Sequence, residues 1–191
     1  NANNNLLVKK ILKKNQKLIV NLPMINLAEQ IKKKEKIKKI KNIQFTYNTK
    51  GKNTYNDIPI DLLPHAIAFS IQFLKINKIK YKIIKVVNKK NSWNCEIYLN
   101  GCNCNYFFSQ NKKRKLSNLS FKLNSAQYIR KQVKAGNNYV NKIIKNKKKV
   151  INIKNPMTEY ILKTINNFDN ISFVRLNRKF VTLTTRITND L

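Results

Sequence analysis

The sequence predicts an α+β fold in two parts that meet near Gln110, and three observations predict it. Apolar residues recur at helical spacing between lysines from Leu6 onward, and alternating apolar and polar runs between residues 43 and 108 surround one apolar helix. The texture then changes at Asn111-Lys112-Lys113-Arg114-Lys115, a solvated basic hinge. Residues 1–110 are expected to form a basic N-terminal region of helices plus a small antiparallel sheet, and residues 111–191 a second domain.

In chain order, Leu7, Ile11 and Leu18, with Val8, Leu12 and Ile19 beside them, predict an amphipathic helix between Leu6 and Val20. Leu27 to Lys41 keeps a thin apolar line, Leu27, Ile31 and Ile40, among lysines and glutamates, the pattern of a helix that needs a partner surface. Residues 43–49 alternate like a strand and run into a turn at Lys50-Gly51-Lys52-Asn53. Asp61 reads as an N-cap with Pro64 in the first turn of an apolar helix ending at Leu74. Tyr81 to Val87, Trp93 to Leu99 and Cys104 to Phe108 read as an antiparallel meander against that helix. Beyond the hinge, Leu116, Leu119 and Leu123 predict a short helix, and a second opens at Asn124-Ser125 and stops near Gly136, a residue free to take the left-handed conformation. A return around Tyr139 to Ile144, a strand Val150 to Ile153, a helix from Asn155-Pro156 to Phe168 and two strands, Ile171 to Leu176 and Phe180 to Ile187, complete the reading.

Composition narrows the partner. Lys+Arg total 40 against 8 Asp+Glu, a formal net charge of +32. Such self-repulsion destabilises a compact state unless a polyanion supplies counter-charge, which makes nucleic acid the expected partner and an anionic membrane surface the second choice. Lys (35), Asn (32) and Ile (25) share A/T-rich codons, so the five arginines, Arg114, Arg130, Arg175, Arg178 and Arg186, are the more informative cations. No run of apolar residues is long enough to span a bilayer. Three glycines supply neither G-x-x-x-x-G-K-[ST] nor G-x-G-x-x-G, so nucleotide-driven chemistry is not expected.

Catalytic and metal candidates are few. His65, the only histidine, follows Pro64 in an apolar stretch and is read as a helix-face or core residue. Asp57 and Asp61 flank Pro59 and are read as turn and cap residues rather than catalytic acids. Cys95, Cys102 and Cys104, spaced C-x6-C-x-C, match neither a zinc knuckle nor paired C-x-x-C motifs. Reduced thiols on strands is the plain reading, and a structural metal is the alternative.

The segment Lys115-Leu116-Ser117-Asn118-Leu119-Ser120-Phe121-Lys122-Leu123, followed by Arg130-Lys131-Gln132-Val133-Lys134-Ala135-Gly136-Asn137-Asn138-Tyr139-Val140-Asn141, reads as two helices, a glycine stop and a turn presenting cations and backbone N–H groups to folded RNA. In order and spacing this text resembles the ribosomal protein S4 family and its RNA-binding domain, over roughly residues 115–191. Arg130, Val133, Gly136, Val140 and Asn141 fall on matching positions. Ser117, Ala135, Asn137 and Lys142 depart from the pattern.

The resemblance implies a structural constituent of the small ribosomal subunit that contributes to its assembly near where mRNA enters, and not an enzyme. Small-subunit rRNA, neighbouring ribosomal proteins and nearby mRNA would be its partners, with no membrane, no small-molecule substrate, no cofactor and no metal. The rRNA contacts would be Lys112, Lys113, Arg114, Lys115, Lys122, Arg130, Lys131, Lys134, Asn137, Asn138 and Asn141. The codon bias, the missing initial Met and the absence of a transit-peptide pattern make a mitochondrial location the expectation, with another organelle such as a plastid as alternative. An RNA-modifying enzyme of the pseudouridine-synthase type, which carries the same module, and a general organellar nucleic-acid-binding protein are the competing functions.

Overall fold

A computed structural model describes residues 19–74, 80–114, 117–135 and 138–190. The expected helix between Leu6 and Val20 lies almost entirely outside the described residues. Eight strands, β1 (Asn42–Thr49), β2 (Tyr81–Lys89), β3 (Ser92–Leu99), β4 (Cys102–Gln110), β5 (Asn118–Leu123), β6 (Ala126–Ala135), β7 (Asn138–Lys145) and β8 (Lys149–Ile153), form one mixed sheet in the order β2-β3-β4-β1-β5-β6-β7-β8. Only β1 and β4 pair in parallel; every other neighbour is antiparallel. The parallel pair arises because the chain leaves β1, crosses the sheet as a helix and returns through the β2-β3-β4 meander to the flank of β1.

Four helices, α1 (Met24–Glu35), α2 (Asp57–Phe73), α3 (Pro156–Asn166) and α4 (Ile171–Asn189), cover one face. Strand alternation decides which side chains meet them. On β4, Cys102, Cys104, Tyr106, Phe108 and Gln110 are buried while Asn103, Asn105 and Phe107 face away. The core is aromatic along α2: the Phe69 ring lies 5.2 Å from that of Phe45 and 4.8 Å from that of Phe121, and Trp93 stacks on Phe108 at 5.8 Å. Glu35, at the end of α1, ion-pairs with Lys145 of β7 and, at 2.8 Å, with Lys149 of β8, tying the far half of the sheet to the helical layer.

Several sequence expectations are corrected. The helical S4-like layout is not formed: residues 118–123 and 126–135 are strands, and β5 hydrogen-bonds to β1 of the first half. Leu119 and Leu123 satisfy both a helical spacing and a strand spacing, and Phe121 between them decides: it is buried on the same face and stacks on its cross-strand partner Tyr128 at 4.9 Å. A two-residue turn with Asn124 at φ 54° joins the two strands. The two strands expected at 171–176 and 180–187 are one helix, α4, whose buried Val174, Asn177, Val181 and Thr184 recur at helical period although three of the four are β-branched. The polar helix expected at 27–41 is shorter and shifted, ending where Lys36 turns left-handed at φ 50°. Asp61 is not an N-cap: α2 begins at Asp57, so Asp61 sits in its second turn and Pro64 in its interior.

Candidate functional site

At the C-terminal ends of the parallel pair β1–β4, the chain assembles a polar corner around Asp61. Gln110, the last residue of β4 and 3% exposed, donates from Nε2 to Asp61 Oδ2 at 2.8 Å. Its Oε1 accepts from the Asn53 backbone N–H at 3.0 Å, and Asn53 Nδ2 donates to the same Asp61 oxygen at 3.3 Å. Gly51 makes room for this clamp, since a Cβ there would lie 2.0 Å from Gln110 Oε1. One buried amide therefore fixes the end of β4, the β1–α2 connection and an α2 carboxylate relative to one another.

His65 follows Asp61 by four residues and so shares its face of α2. Its Nδ1 is buried and has no hydrogen-bond partner in the structure. Burial pushes the imidazole pKa below its ordinary value, while the Asp61 carboxylate pulls it the other way. Pro64 cannot donate a helical N–H, which leaves the Ile60 carbonyl in this turn without its usual partner. A neutral imidazole with a buried, unpaired nitrogen, beside a carboxylate that would stabilise its protonated form, has the chemistry to accept a proton and return it.

The helix-facing side of the sheet continues this corner. Thr49 pairs in register with Gln110, and its Oγ1 lies 3.1 Å from Ser117 Oγ. One row inward, Phe108, Tyr47, Leu119, Arg130 and Ile143 align across β4, β1, β5, β6 and β7. Arg130 thus lies on the helix-facing side, two strands and roughly 10 Å from Tyr47. Asn141 faces the same side, is buried and leaves Oδ1 without a partner.

These placements separate the residues expected to line one RNA-binding edge. Arg130 and Asn141 face the helices, whereas Lys122 and Lys131 are exposed on the opposite face. Lys112 and Lys113 are exposed in a turn, and Arg114 Nη2 reaches Ser109 Oγ at 3.5 Å. The backbones of Lys134 and Asn138 belong to the β6–β7 pairing, and Lys115 and Asn137 lie outside the described residues. Asp61 and His65 were not selected from sequence, although their spacing on an apolar helix was the available signal.

The three cysteines are free and buried on β3 and β4. Burial, with the Glu96 charge beside it, pushes the Cys95 thiol up to about 12. Cys104 contacts Cys102 at 3.9 Å between sulfurs, and no cluster of three His, Cys, Asp or Glu side chains among the described residues could hold a metal. No helix among the described residues is long and apolar enough to cross a membrane.

Comparison with protein families finds no matching family pattern, and comparison with curated proteins finds no match. Solved structures do share the fold. A dehydrogenase of Clostridium difficile superposes with a TM-score of 0.57 at 15% identity, covering 98% of this chain and 66% of that one. A 3-ketoreductase of Actinomadura kijaniata, solved with TDP-benzene and NADP, gives 0.55 at 11% identity, covering 88% and 59%. A UDP-N-acetylglucosamine 3-dehydrogenase of Acidithiobacillus ferrooxidans gives 0.53 at 11%, covering 96% and 65%. The chain therefore spans less than two thirds of the length of each.

This fold overturns the S4 resemblance and what hung on it. A small-subunit structural role, rRNA and ribosomal-protein partners, and the pseudouridine-synthase alternative all required a helical RNA-binding module that the sheet replaces. The expectations of no enzymatic activity and no small-molecule substrate rested on that resemblance and lose their basis with it; the solved structures that share the fold are described as dehydrogenases and a ketoreductase. The described residues nevertheless do not fit a dinucleotide. Close approach of a pyrophosphate needs exposed glycine backbone at a strand-to-helix turn, and at Gly51, between β1 and α2, that space is filled by Gln110.

Proposed function

We propose that this chain supplies the substrate side of an oxidoreductase, with His65 exchanging a proton with a hydroxyl or carbonyl oxygen of a polar small molecule. The observation that carries the reading is the buried, unpartnered Nδ1 of His65 one helical turn from Asp61, whose carboxylate Gln110 and Asn53 hold in place. Asp61 orients the imidazole's surroundings and offsets the charge it gains; Gln110 positions Asp61. The proposal concerns the proton alone, since no step is assigned to a redox partner that the described residues do not fit.

A carbohydrate carrying a diphosphate suits the site best as substrate. Two of the oxidoreductases sharing the fold are described with nucleoside-diphosphate ligands or substrates, TDP-benzene and UDP-N-acetylglucosamine. Arg130 offers a bidentate cation on the same side of the sheet, Asn141 an unpaired acceptor, and the net charge of +32 favours an anionic ligand throughout.

Calorimetric titration with UDP-N-acetylglucosamine, UDP and N-acetylglucosamine tests the reading. The diphosphate sugar should bind more tightly than either fragment, and both His65→Ala and Arg130→Ala should weaken it by about tenfold or more. Equal affinity in wild type and both variants would remove the ligand from this corner.

A further inference from the structure

Away from that corner, α1, α2, α3 and α4 enclose a hollow of about 290 Å³, at the lower end of the size range of ligand pockets. Its walls are apolar: Ile25 from α1, Ile71 from the last turn of α2, and Phe173, Phe180 and Leu183 from α4. Two buried asparagines also border it, but their hydrogen bonds are spent on the protein. Asn177 Oδ1 accepts from the Val20 N–H at 3.0 Å, and its Nδ2 donates to the Val20 carbonyl at 2.9 Å and to Tyr160 Oη at 2.5 Å. Asn26, oriented to satisfy both groups, donates to Glu29 Oε2 at 3.2 Å and accepts from the Tyr160 N–H at 2.8 Å. The interior therefore offers dispersion contacts and no open polar partner.

The border is different. Lys32, Lys163 and Lys179 line the hollow against a single acid, Glu29. Glu29 is already committed to Lys163, at 3.0 and 3.1 Å, and to Gln72 Nε2 at 3.2 Å. Lys32 donates to the Gln72 carbonyl at 3.1 Å, which satisfies one N–H and neutralises no charge. Lys179 has no acidic partner among the described residues. Two cations uncompensated by acids thus border a largely apolar hollow.

We infer that this hollow is a binding site for a small amphipathic anion, a free medium-chain carboxylate whose chain fills the interhelical space and whose head group meets Lys32 and Lys179. A neutral hydrocarbon would leave the border charges without counter-charge, a cation would be repelled, and a compact polyanion would find nothing to bond with inside. Charge complementarity selects the class, and the apolar walls select the chain.

Calorimetry on the full chain with sodium decanoate, held below its micellar concentration, tests this. One decanoate should bind per chain, and decyltrimethylammonium and butyrate should each bind about tenfold more weakly or worse. The pair Lys32→Gln with Lys179→Gln should produce a comparable loss, while Lys89→Gln with Lys90→Gln, in the β2–β3 turn, should not. Leu183→Trp should block the hollow; if it fails to fold, the lysine pair still decides. Equal binding of the two decyl compounds, equal loss in both lysine pairs, or binding only to anionic phosphatidylglycerol vesicles and not to free decanoate would overturn the assignment.

Discussion

Gln110 and Asp61 are joined by a 2.8 Å hydrogen bond between the last residue of a core strand and the second turn of the helix beside it. The strand end is fixed by the parallel ladder with β1, so the carboxylate one helical turn before His65 inherits the rigidity of the sheet. A polar site on a rigid scaffold keeps its geometry without the movement a loop-borne site would allow.

Gln110→Ala is expected to cost about 1–3 kcal/mol, because it removes the acceptor of the half-buried Asn53 N–H and frees Asp61. Gly51→Ala should cost a similar amount by displacing the same amide. Urea unfolding of the single and double variants forms a cycle in which the double variant costs far less than the sum, since the second change meets a clamp already gone.

Stability should respond to pH in two windows. His65 has its pKa lowered by burial from an ordinary 6.5, so its contribution is intact above that value and is lost as pH falls through the lower folded value. For Glu35, burial alone would raise the carboxyl pKa, but hydrogen bonds and charge from Lys145 and Lys149 outweigh it and hold the group below its ordinary 4.5. Its contribution is present above 4.5 and is lost at lower pH. Unfolding curves between neutral pH and pH 3 should show both declines, and His65→Gln should abolish only the first.

Removing Glu35 and removing Lys149 should have unequal effects. The Glu35 side chain is 3% exposed and that of Lys149 61%, so the lysine can be replaced at a cost of about 0–1 kcal/mol. Glu35→Ala removes an acceptor shared by two lysines and should cost about 1.5–3 kcal/mol, with amide exchange rising first in the β7–β8 hairpin.

Phe121→Ala separates the observed sheet from a helical reading of the same residues. On a helix presenting Leu119 and Leu123, Phe121 would point elsewhere and its loss would be mild. In β5 it is buried against Phe69 and Tyr128, and its truncation should cost about 3–5 kcal/mol by equilibrium denaturation.

What the residues alone could convey divides at Gln110 for a physical reason. Up to that point strict alternation, as in Trp93 to Leu99, and one long apolar helix leave little ambiguity between the two periods. Beyond it, Leu119 and Leu123 fit either period, and the run Val181-Thr182-Leu183-Thr184-Thr185, β-branched except at Leu183, favours strand locally although packing on α2 makes it helix. The parallel pairing of β1 with β4 depends on contacts remote in sequence and has no local signature. His65 is visible as a lone histidine, but its buried, unpaired nitrogen is a property of the packed helix, and Gln110, buried among aromatic strand residues, carries no mark of its tie to Asp61. The charge of +32 conveyed a preference for anions and no more, because lysine here is spread over both faces of the sheet and marks no single edge.

The most direct measurement is the His65 imidazole resonance followed by NMR across pH, in free protein and with saturating UDP-N-acetylglucosamine. As the chain's only histidine, its signal is unambiguous. The account predicts a midpoint below 6.5 in the free protein, a further fall in Asp61→Asn, and a shifted resonance and midpoint when the ligand binds. A midpoint at 6.5 unaffected by Asp61→Asn, with a resonance indifferent to bound ligand, would contradict it.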